Sequence, residues 1–381
     1  MYDRTMTSDR ISNDARCSVP RCAVRLVHAS SDAERASVVV NELSSLEMDI
    51  SARCTKSASP GIFRIQTGSH RAVEIDLDAS SLGALETVLQ SIVVDPLELP
   101  ILLEGESKIL RSWTDKIVVE ELKPTVYSYT MNRYGTAVGT DAVRVAFSAA
   151  LFREMANLPG AMPFRPQSAF LAKIQHQGIS YLVQRRVEAS NLEIRVKRYH
   201  IGSPLHRYKY TDKHSTTQTC GPLTQWSRFD KPVVCFDWRN PLQDDSGQKL
   251  ADEPISEDYA AVWMDAPEYA REMSRQTFCW LESRFARAGV LLVDMCMFVD
   301  FSGKTIYGEL SPDCMRIRFG LEHPSQARAG DKDLWRQGAK GEELLERYAE
   351  AYTRIYGEAD RPQRQVLVGP RSVAGTKALP L

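Results

Sequence analysis

The sequence lacks the features that mark several classes of protein. Its 48 Lys and Arg residues nearly balance its 49 Asp and Glu residues, and the net charge is −1. No overall positive field is therefore available to hold nucleic acid or an anionic membrane. A long apolar stretch, 288–298, is interrupted by Asp294 and is far shorter than the ~20 residues that span a bilayer. We expect no transmembrane helix, no nucleic-acid partner and no membrane partner.

Paired cysteines are also missing. The sequence has no Cys-x-x-Cys motif and no paired Cys/His spacing, which argues against a zinc site or a disulfide framework. We expect most of the cysteines to be reduced and buried as small hydrophobic residues. The eight cysteines are Cys17, Cys22, Cys54, Cys220, Cys235, Cys279, Cys296 and Cys314.

The first residues of the chain lack the apolar core of a signal peptide. Segment 1–16 places Asp3, Asp9 and Asp14 among Ser, Thr and Arg residues. This composition predicts a frayed leader, which we bound at 1–20, rather than a secretion signal. We therefore expect the protein to stay in the cytoplasm.

The composition that is present is that of a folded protein. Of 381 residues, 43% are hydrophobic and 25% are charged, which predicts two or three domains. Within 21–100, apolar strand patterns alternate with helical patterns. This alternation predicts a small α/β domain with a parallel sheet. The predicted strands are 23–28, 72–77 and 97–103, and the predicted helices are 33–46 and 82–94.

From residue 101 onward the patterns predict hairpins, long strands and three long helices. Segments 101–113 and 116–122 alternate as a hairpin whose first strand contains Gly105, which is typical of a flap over a ligand. The polar stretch 209–230 predicts a mobile surface excursion. The remaining strands are predicted at 170–175, 179–186, 192–199, 290–301 and 304–310, and the helices at 140–158, 267–288 and 341–356.

One segment that follows a predicted strand concentrates charged and polar side chains. Glu309, Ser311, Asp313 and Arg316 lie within nine residues. Carboxylates in such a place can hold Mg²⁺, and an arginine offers a planar fork to a carboxylate or phosphate. The alternative is an internal ion pair between Asp313 and Arg316 that caps a turn.

Two further segments are candidates for binding an anion. Lys197, Gly202 and Ser203 combine a basic strand with a Gly-Ser turn, which can present backbone N–H groups and a hydroxyl to a phosphate. The alternative there is an ordinary turn. Segment 331–338 contains Arg336 among several charged residues, and the alternative for it is a solvated loop.

These segments together resemble SAICAR synthetase, the purine-pathway enzyme that joins aspartate to a carboxyaminoimidazole ribonucleotide with ATP. The resemblance covers about two thirds of the chain, from about 102 to 356. The motifs that carry it are Glu104-Gly105-x-x-Lys108, Ile201-Gly202-Ser203, Asp252-Glu253-Pro254, Leu292-Val293-Asp294, Glu309-Leu310-Ser311-Pro312-Asp313-x-x-Arg316 and Trp335-Arg336-Gln337-Gly338.

The resemblance implies an α+β fold of two lobes, with ATP beneath the flap and the ribonucleotide in the cleft. It places the flap and N-terminal lobe at 101–200, the C-terminal lobe at 201–360 and a loose tail at 361–381. It further implies a site in three parts. Gly105 and Lys108 belong to the nucleotide flap, Lys197, Gly202, Ser203, Arg316 and Arg336 contact the ribonucleotide, and Glu309, Asp313 and Glu253 lie near the reacting carboxylate and metal.

The sequence departs from the family pattern on the side that would hold ATP and Mg²⁺. Glu106 stands where the flap motif has Lys, and Cys296 replaces another Lys. Phe298 replaces a metal-binding Glu, and Gly308 replaces an Asp. Mg·ATP needs oxygen ligands and positive charge around its phosphates, and these replacements remove much of both.

The N-terminal region has a resemblance of its own. Segments 27–32 and 58–60 are similar to motifs of aminoimidazole ribonucleotide carboxylase, a flavodoxin-like enzyme. The similarity covers about half of such a domain, without its Gly-rich and His elements. We expect 21–100 to be a degenerate carboxylase-like α/β domain with a structural or interface role.

Three functions follow as hypotheses. The first is an enzyme that binds a phosphoribosyl imidazole or purine-derived nucleotide and closes or rearranges a ring in nucleoside-antibiotic biosynthesis of the pentostatin or coformycin type, with weakened or lost use of ATP. Glu309 and Asp313 would transfer protons, with Cys296 as a further possibility. The second is an ATP-dependent SAICAR synthetase. The third is a non-catalytic nucleotide-binding partner. We expect a homo-oligomer or a complex with pathway enzymes.

Overall fold

The computed structural model describes residues 24–56, 62–67, 71–76, 81–92, 94–128, 133–214, 221–241, 244–248 and 250–357. The predicted leader at 1–20 and the predicted tail at 361–381 lie outside these residues. Residues 58–60, which contribute to the carboxylase-like resemblance, lie outside them as well.

The described residues form eighteen strands and eight α-helices. The strands are β1 (Val24–His28), β2 (Ile50–Cys54), β3 (Ile62–Thr67), β4 (Arg71–Asp76), β5 (Ile101–Glu104), β6 (Lys108–Ser112), β7 (Ile117–Leu122), β8 (Thr125–Ser128), β9 (Arg133–Thr136), β10 (Phe170–His176), β11 (Ile179–Arg185), β12 (Ala189–Tyr199), β13 (Arg228–Trp238), β14 (Glu253–Ile255), β15 (Val290–Asp300), β16 (Ile306–Tyr307), β17 (Met315–Phe319) and β18 (Arg328–Ala329). The helices are α1 (Ala33–Ser45), α2 (Ser81–Ser91), α3 (Thr140–Ala156), α4 (Ser203–Arg207), α5 (Glu257–Ala260), α6 (Pro267–Ala286), α7 (Asp333–Arg336) and α8 (Gly341–Tyr356).

The first sheet has the order β2-β1-β3-β4. Strands β1 and β2 are parallel and are joined through α1, as a βα unit requires. Strand β3 is antiparallel to both β1 and β4, so the expectation of a wholly parallel sheet is wrong. The reason is that only three residues, 68–70, separate β3 from β4. A connection that short closes a hairpin and is too short for a crossover helix.

The second sheet, β10-β11-β7-β6-β5, carries the flap hairpin at one edge. Its inner face packs against the first sheet and against α1 and α2 in one hydrophobic cluster. Ile117, Val119, Leu171 and Tyr181 are the buried contributions of the second sheet to that cluster. The described part of 24–92 therefore packs directly on the flap-bearing lobe. The domain boundaries inferred from the sequence stay a prediction.

The third sheet is the largest, and we call its face away from the main hydrophobic core the cleft face, because the resemblance places the cleft there. Its order is β14-β13-β12-β15-β17-β18, with β16 paired to β15. Side chains alternate between the two faces of a strand, and the middle of one face of β12 and β15 is apolar. That face packs against α3, α6 and α8 in the main hydrophobic core. The residues concerned include Ile194, Val196, Met295, Met297 and Ile317, all nearly inaccessible to solvent.

Several predicted elements have different bounds in the structure. Segment 97–103 does not begin as a strand, because Pro96–Glu98 forms a 3₁₀ turn in which the Asp95 carboxylate accepts a hydrogen bond from the Leu97 N–H at 2.9 Å. The predicted excursion 209–230 ends earlier, since β13 begins at Arg228. Its residues 215–220 lie outside the described part of the chain. Strands β2 and β3 had no sequence prediction.

The five described cysteines are free but are not buried as predicted. Among the described residues Cys54 is exposed, and Cys235, Cys279, Cys296 and Cys314 are half-buried. Cys235 and Cys296 alternate with core residues on their strands and therefore point to the cleft face of the third sheet.

Arg144 on α3 connects the two lobes from inside the protein. Its side chain is only 1% exposed. Its Nε and Nη2 atoms donate to the Glu309 carboxylate at 2.9 and 2.5 Å, and its Nη1 donates to the Lys123 carbonyl at 2.9 Å. One turn further, the Ser148 hydroxyl donates to the Leu310 carbonyl and accepts from the Leu310 N–H. Helix α3 thus fixes the end of β7 and the segment after β16.

We predict that Arg144→Met lowers the free energy of unfolding by about 3–5 kcal/mol, because it leaves the charge of the buried Glu309 carboxylate without its cation. Urea denaturation measures the change. Lys123→Met is the control, since it removes a partly exposed ion pair with Glu104 and should cost about 0–1 kcal/mol. The double variant Arg144→Met/Glu309→Met should recover part of the loss. Equal effects of the Arg144 and Lys123 substitutions would contradict this account.

Candidate functional site

The cleft face of the third sheet carries three rows of polar side chains. Strand register sets the rows, because residues opposite each other on paired strands point to the same side. The first row is Lys197, Asp294 and Arg316. The second row is Cys235, Arg195 and Cys296, and the third row is Asp237, Glu193, Phe298 and Tyr307.

In the first row, Lys197 and Arg316 lie on either side of Asp294, and Gly202 packs against both cations. Lys197 Nζ and Arg316 Nη1 lie 2.7 and 2.6 Å from the same Asp294 oxygen. Burial alone would raise the pKa of Asp294, but the charges of Arg316 and Lys197 outweigh it and hold that pKa below its usual value. Gly202 has φ +75°, and a Cβ atom there would lie 3.4 Å from the Arg316 guanidinium. The glycine lets the backbone approach both cations closely.

Arg316 also belongs to a second charged group around Asp333. Arg316 Nε and Arg318 Nη2 donate to Asp333 Oδ2 at 2.9 and 2.5 Å, and Arg336 donates to Asp333 Oδ1. Arg318 also pairs with Asp331, and Arg316 and Lys197 pair with Asp294, so four cations meet three carboxylates and one positive charge is left. This excess suits the region to an anionic ligand.

Ser203 lies beside the second row at the start of α4. Its hydroxyl accepts a hydrogen bond from Arg195 Nη1 at 3.0 Å. Arg195 Nη2 donates to Asp252 Oδ2 at 2.9 Å, so Ser203 and Asp252 share one guanidinium. Burial and the neighbouring Glu193 carboxylate raise the pKa of Asp252. A half-buried carboxyl whose pKa is raised holds its proton more readily than an ordinary aspartate, which suits it to proton transfer.

The segment after β16 is held by ion pairs. Glu309 is bound by Arg144 as described, and the Ser311 hydroxyl donates to Glu309 Oε2 at 2.7 Å. Asp313 accepts from Lys332 Nζ at 2.8 Å and from the Tyr348 hydroxyl at 3.0 Å. Burial would raise both pKa values, but Arg144 holds the pKa of Glu309 below its usual value, and Lys332 with Arg144 does so for Asp313. Both carboxylates are counter-ions.

These contacts decide the alternative given above for residues 308–316, which was an internal ion pair between Asp313 and Arg316. Asp313 pairs with Lys332, whereas Arg316 pairs with Asp294 and Asp333. An internal Asp313–Arg316 ion pair is therefore not what holds the turn.

Lys108, the flap lysine, lies beside Phe298 and Gly308, two of the residues that depart from the family pattern. Lys108 Nζ lies 2.7 Å from Glu120 Oε1 and 5.6 Å from the centre of the Phe298 ring. A Cβ added at Gly308, whose φ is +77°, would lie 3.2 Å from Lys108 Nζ. The Arg239 guanidinium lies 5.1 Å from the same Phe298 ring. Two cations thus face an aromatic ring at the position of the family's metal-binding Glu.

The other flap residues lie at the tip of the hairpin. The Gly105 N–H donates to the Lys108 carbonyl at 2.9 Å, which closes the turn between β5 and β6. The Glu106 carbonyl accepts from the Thr125 hydroxyl at 2.6 Å. Burial and the Glu106 carboxylate raise the pKa of Tyr134, so Glu106 faces β9.

The predicted metal pair of Glu253 and Glu309 stays a prediction. Glu253 is exposed on β14, and β13 and β12 lie between β14 and β15. At about 4.8 Å per strand, β14 is roughly 14 Å from β15. Within the ranges described above, no cluster of three or more His, Cys, Asp and Glu side chains has the arrangement of a metal site.

Eight carboxylates on and around the third sheet are paired with cations among the described residues. These pairs are Glu120 with Lys108, Glu193 with Arg195, Asp237 with Arg207, Asp252 with Arg195, Asp294 with Lys197, Glu309 with Arg144, Asp313 with Lys332 and Asp333 with Arg316. Mg²⁺ binds through carboxylate oxygens in an octahedral shell, so these ion pairs would have to open before the carboxylates could hold it.

The structure brings most of the predicted binding residues into one region. Lys197, Gly202 and Arg316 are in mutual proximity, and Arg336 joins them through Asp333. Ser203 is adjacent through Arg195. Their assignment to a bound ribonucleotide stays a prediction. Sequence reasoning missed Arg144, Arg195, Asp252, Lys332 and Tyr348, whose partners lie far away along the chain.

Solved structures share the fold of this chain. A SAICAR synthetase (Type-2) in complex with ADP has a TM-score of 0.54 at 22% identity, covering 70% of this chain and 100% of that one. The SAICAR synthase from Saccharomyces cerevisiae complexed with SAICAR has a TM-score of 0.54 at 16% identity, covering 70% and 99%. The mixed α+β architecture is therefore that of a SAICAR synthetase, which confirms the predicted fold class.

The family is equally clear from the sequence. The model of the SAICAR synthetase family matches residues 116–355, well over half of the chain. The chain belongs to the SAICAR synthetase family, a family of carbon–nitrogen ligases, as a divergent member. The carboxylase-like character of 21–100 lies outside the matched residues and stays a prediction.

One curated relative comes from a fungus. The chain is 26% identical over 305 residues to the bifunctional cordycepin biosynthesis cluster protein 3 of Cordyceps militaris. The match covers 69% of this chain and 33% of the relative, so the chain spans about one third of the relative's length. Among the described residues, no helix combines the length and the apolar character needed to cross a membrane.

The paired carboxylates predict how stability depends on pH. Asp294, Glu309 and Asp313 have pKa values below their usual values, so their contribution is present above pH ~4 and is lost as the pH falls through the lowered values. The melting temperature should therefore fall as the pH is lowered from 5 to 2. The fall should be smaller for Asp313→Asn. Parallel profiles for the two proteins, measured by thermal unfolding, would contradict the assigned role of Asp313.

Proposed function

We propose that the cleft binds a phosphoribosyl imidazole or purine-derived nucleotide and converts it without Mg·ATP. The observation that carries this proposal is the pairing of the cleft carboxylates. The first row and the Asp333 group offer Lys197, Arg316 and Arg336 to a phosphate or carboxylate. At the positions that serve a metal in the family pattern, Phe298 and Gly308 offer no oxygen from a side chain.

The proposed chemistry is a ring closure or rearrangement that needs an anchored anion and groups that exchange protons. A relative named for a cordycepin biosynthesis cluster supports a place in the making of a nucleoside antibiotic. The lowered pKa values of Glu309 and Asp313 favour a role as fixed counter-ions. Asp252 is better suited to exchange a proton, because its pKa is raised and a quarter of its side chain is exposed.

A second candidate is the ATP-dependent joining of aspartate to carboxyaminoimidazole ribonucleotide. Members of the family use ATP and Mg²⁺, and the Type-2 relative was solved with ADP. Lys108 is retained in the flap and supports this candidate. Release of phosphate that depends on both aspartate and the ribonucleotide would establish it. If the protein is a non-catalytic nucleotide-binding partner, it should bind the nucleotide but catalyse neither the ring closure or rearrangement nor the ATP-dependent joining of aspartate. For each candidate we propose a cytoplasmic location and a homo-oligomer or pathway complex.

The proposed anion site makes a first prediction. Arg316→Met should weaken binding of an aminoimidazole carboxamide ribonucleotide by at least ~10-fold, the cost of one charge-assisted contact. Calorimetric titration measures the affinity. Arg354→Met on α8 is the control, since Arg354 pairs with Glu350 on an exposed surface. Ser203→Ala tests the same site with a smaller perturbation. Unchanged affinity in both site variants would overturn the proposed location.

The replaced side chains make a second prediction. The triple variant Cys296→Lys/Phe298→Glu/Gly308→Asp restores three of the four replaced residues and should bind Mg·ATP at least ~10-fold more tightly than the unmodified protein. Position 308 tolerates the change because Asp is among the residues that adopt positive φ, and Lys108 can move. Phe298→Leu is the matched control and should gain nothing. Tight Mg·ATP binding by the unmodified protein would favour the synthetase.

A further inference from the structure

Two cysteines lie opposite each other at the edge where β15 meets the start of β17. The register of these antiparallel strands places Asp294 opposite Arg316. Two positions further along the same register, Cys296 lies opposite Cys314, and the Cys296 N–H donates to the Cys314 carbonyl at 2.8 Å. The backbone therefore holds the two cysteines side by side.

The side chains of both cysteines point to the cleft face of the third sheet. Met295 and Met315, which lie opposite each other one position away, are buried in the main hydrophobic core. Because successive side chains of a strand point to opposite faces, Cys296 and Cys314 are directed to the other face. This is the face on which the ion pairs of the first row lie.

The two thiols interact with each other and are accessible in part. The neighbouring Cys314 thiol, burial and the Glu193 carboxylate raise the pKa of the Cys296 thiol. The Cys314 thiol donates to the Glu309 carbonyl at 3.7 Å. Both cysteines are free and only half-buried, so a small oxidant can reach the pair.

The spacing of the pair suits a disulfide. Opposite residues of antiparallel strands have Cα atoms about 4.5–5.5 Å apart, within the ~4.4–6.8 Å that a disulfide spans. Cys235 also points to the cleft face, but β12 lies between its strand, β13, and β15. At about 4.8 Å per strand, Cys235 is too far from Cys296 for a disulfide without movement of the backbone.

We propose that Cys296 and Cys314 form a reversible disulfide when a peroxide oxidises the protein, and that this bond fastens segment 309–314 to β15. One thiol ionises and its thiolate attacks hydrogen peroxide, which breaks the O–O bond and gives a sulfenic acid and hydroxide. The second thiol attacks that sulfur, the S–S bond forms, and water leaves. The proton from the first thiol converts the hydroxide to a second water.

In this reaction the two thiols are oxidised and the peroxide is reduced to water. A dithiol reductant such as dithiothreitol reverses the change and restores both thiols. The inference does not depend on the function proposed for the cleft, because it uses the strand register and the two thiols alone.

The test treats the unmodified protein with an equimolar amount of hydrogen peroxide under native conditions and maps its peptides by mass spectrometry. The expected product is a pair of peptides joined through Cys296 and Cys314, which dithiothreitol separates again. Pairing of either residue with a different cysteine, oxidation that stops at the sulfenic or sulfinic acid, or no reaction of the pair would overturn the proposal.

Variants and hydrogen exchange test the assignment and the effect of the bond. Cys296→Ser and Cys314→Ser should each abolish the joined peptides, whereas Cys235→Ser, on the same face, should leave them unchanged. Amide exchange within 309–314 should slow at least ~2-fold on oxidation of the unmodified protein and should not slow in Cys296→Ser, because a cross-link restricts local opening. Equal exchange before and after oxidation would contradict the proposed fastening of this segment.

Discussion

The buried contact between Arg144 and Glu309 is the constraint on which the cleft depends. A guanidinium with 1% exposure persists only when its donors are satisfied, and Arg144 achieves this with Glu309 and the Lys123 carbonyl. Because α3 also binds Leu310 through Ser148, it sets the position of the segment after β16. Asp313 follows four residues after Glu309 and is placed to meet Lys332 and Tyr348. The interior of α3 thus determines the shape of one cleft wall.

Strand register determines which side chains of the third sheet face the cleft, and the charges of those side chains nearly balance. Alternation along β12 and β15 separates an apolar face, which packs in the core, from a polar face with its rows of charged groups. The carboxylates of the rows, Asp294, Glu193 and Asp237, are each paired with a cation. Beside the first row, Arg316 and Arg336 share Asp333. In the function that we propose, a ligand phosphate binds these arginines without a metal.

Much of the fold could be predicted from the sequence. Helix α8 has its predicted bounds, and β12 and β15 were predicted to within a few residues, because long periodic segments fix element type. Motif order gave the family and located Lys197, Gly202 and Arg316 in one region. The antiparallel pairing of β3 with β4 could not be predicted from a βα pattern. It depends on the number of residues between the two strands, which here is too small for a crossover helix.

The buried charges were the part that sequence reasoning missed. Periodicity along α3 assigns Val143 and Phe147 to the core but gives no reason to bury Arg144 beside them. Its partner Glu309 is 165 residues away, and only the packing of two lobes brings them together. The same holds for Asp252, which was noted within a motif but whose neighbour Arg195 lies on another strand. Such charge pairs become visible only when the tertiary contacts are known.

The most direct test of the account is a calorimetric titration of the unmodified protein with Mg·ATP and, separately, with an aminoimidazole carboxamide ribonucleotide. The paired carboxylates predict a saturable heat with the ribonucleotide and none with Mg·ATP. Tight binding of Mg·ATP would contradict the central claim, since it would require those carboxylates to leave their cations, and it would restore the ATP-dependent ligase reaction of the family.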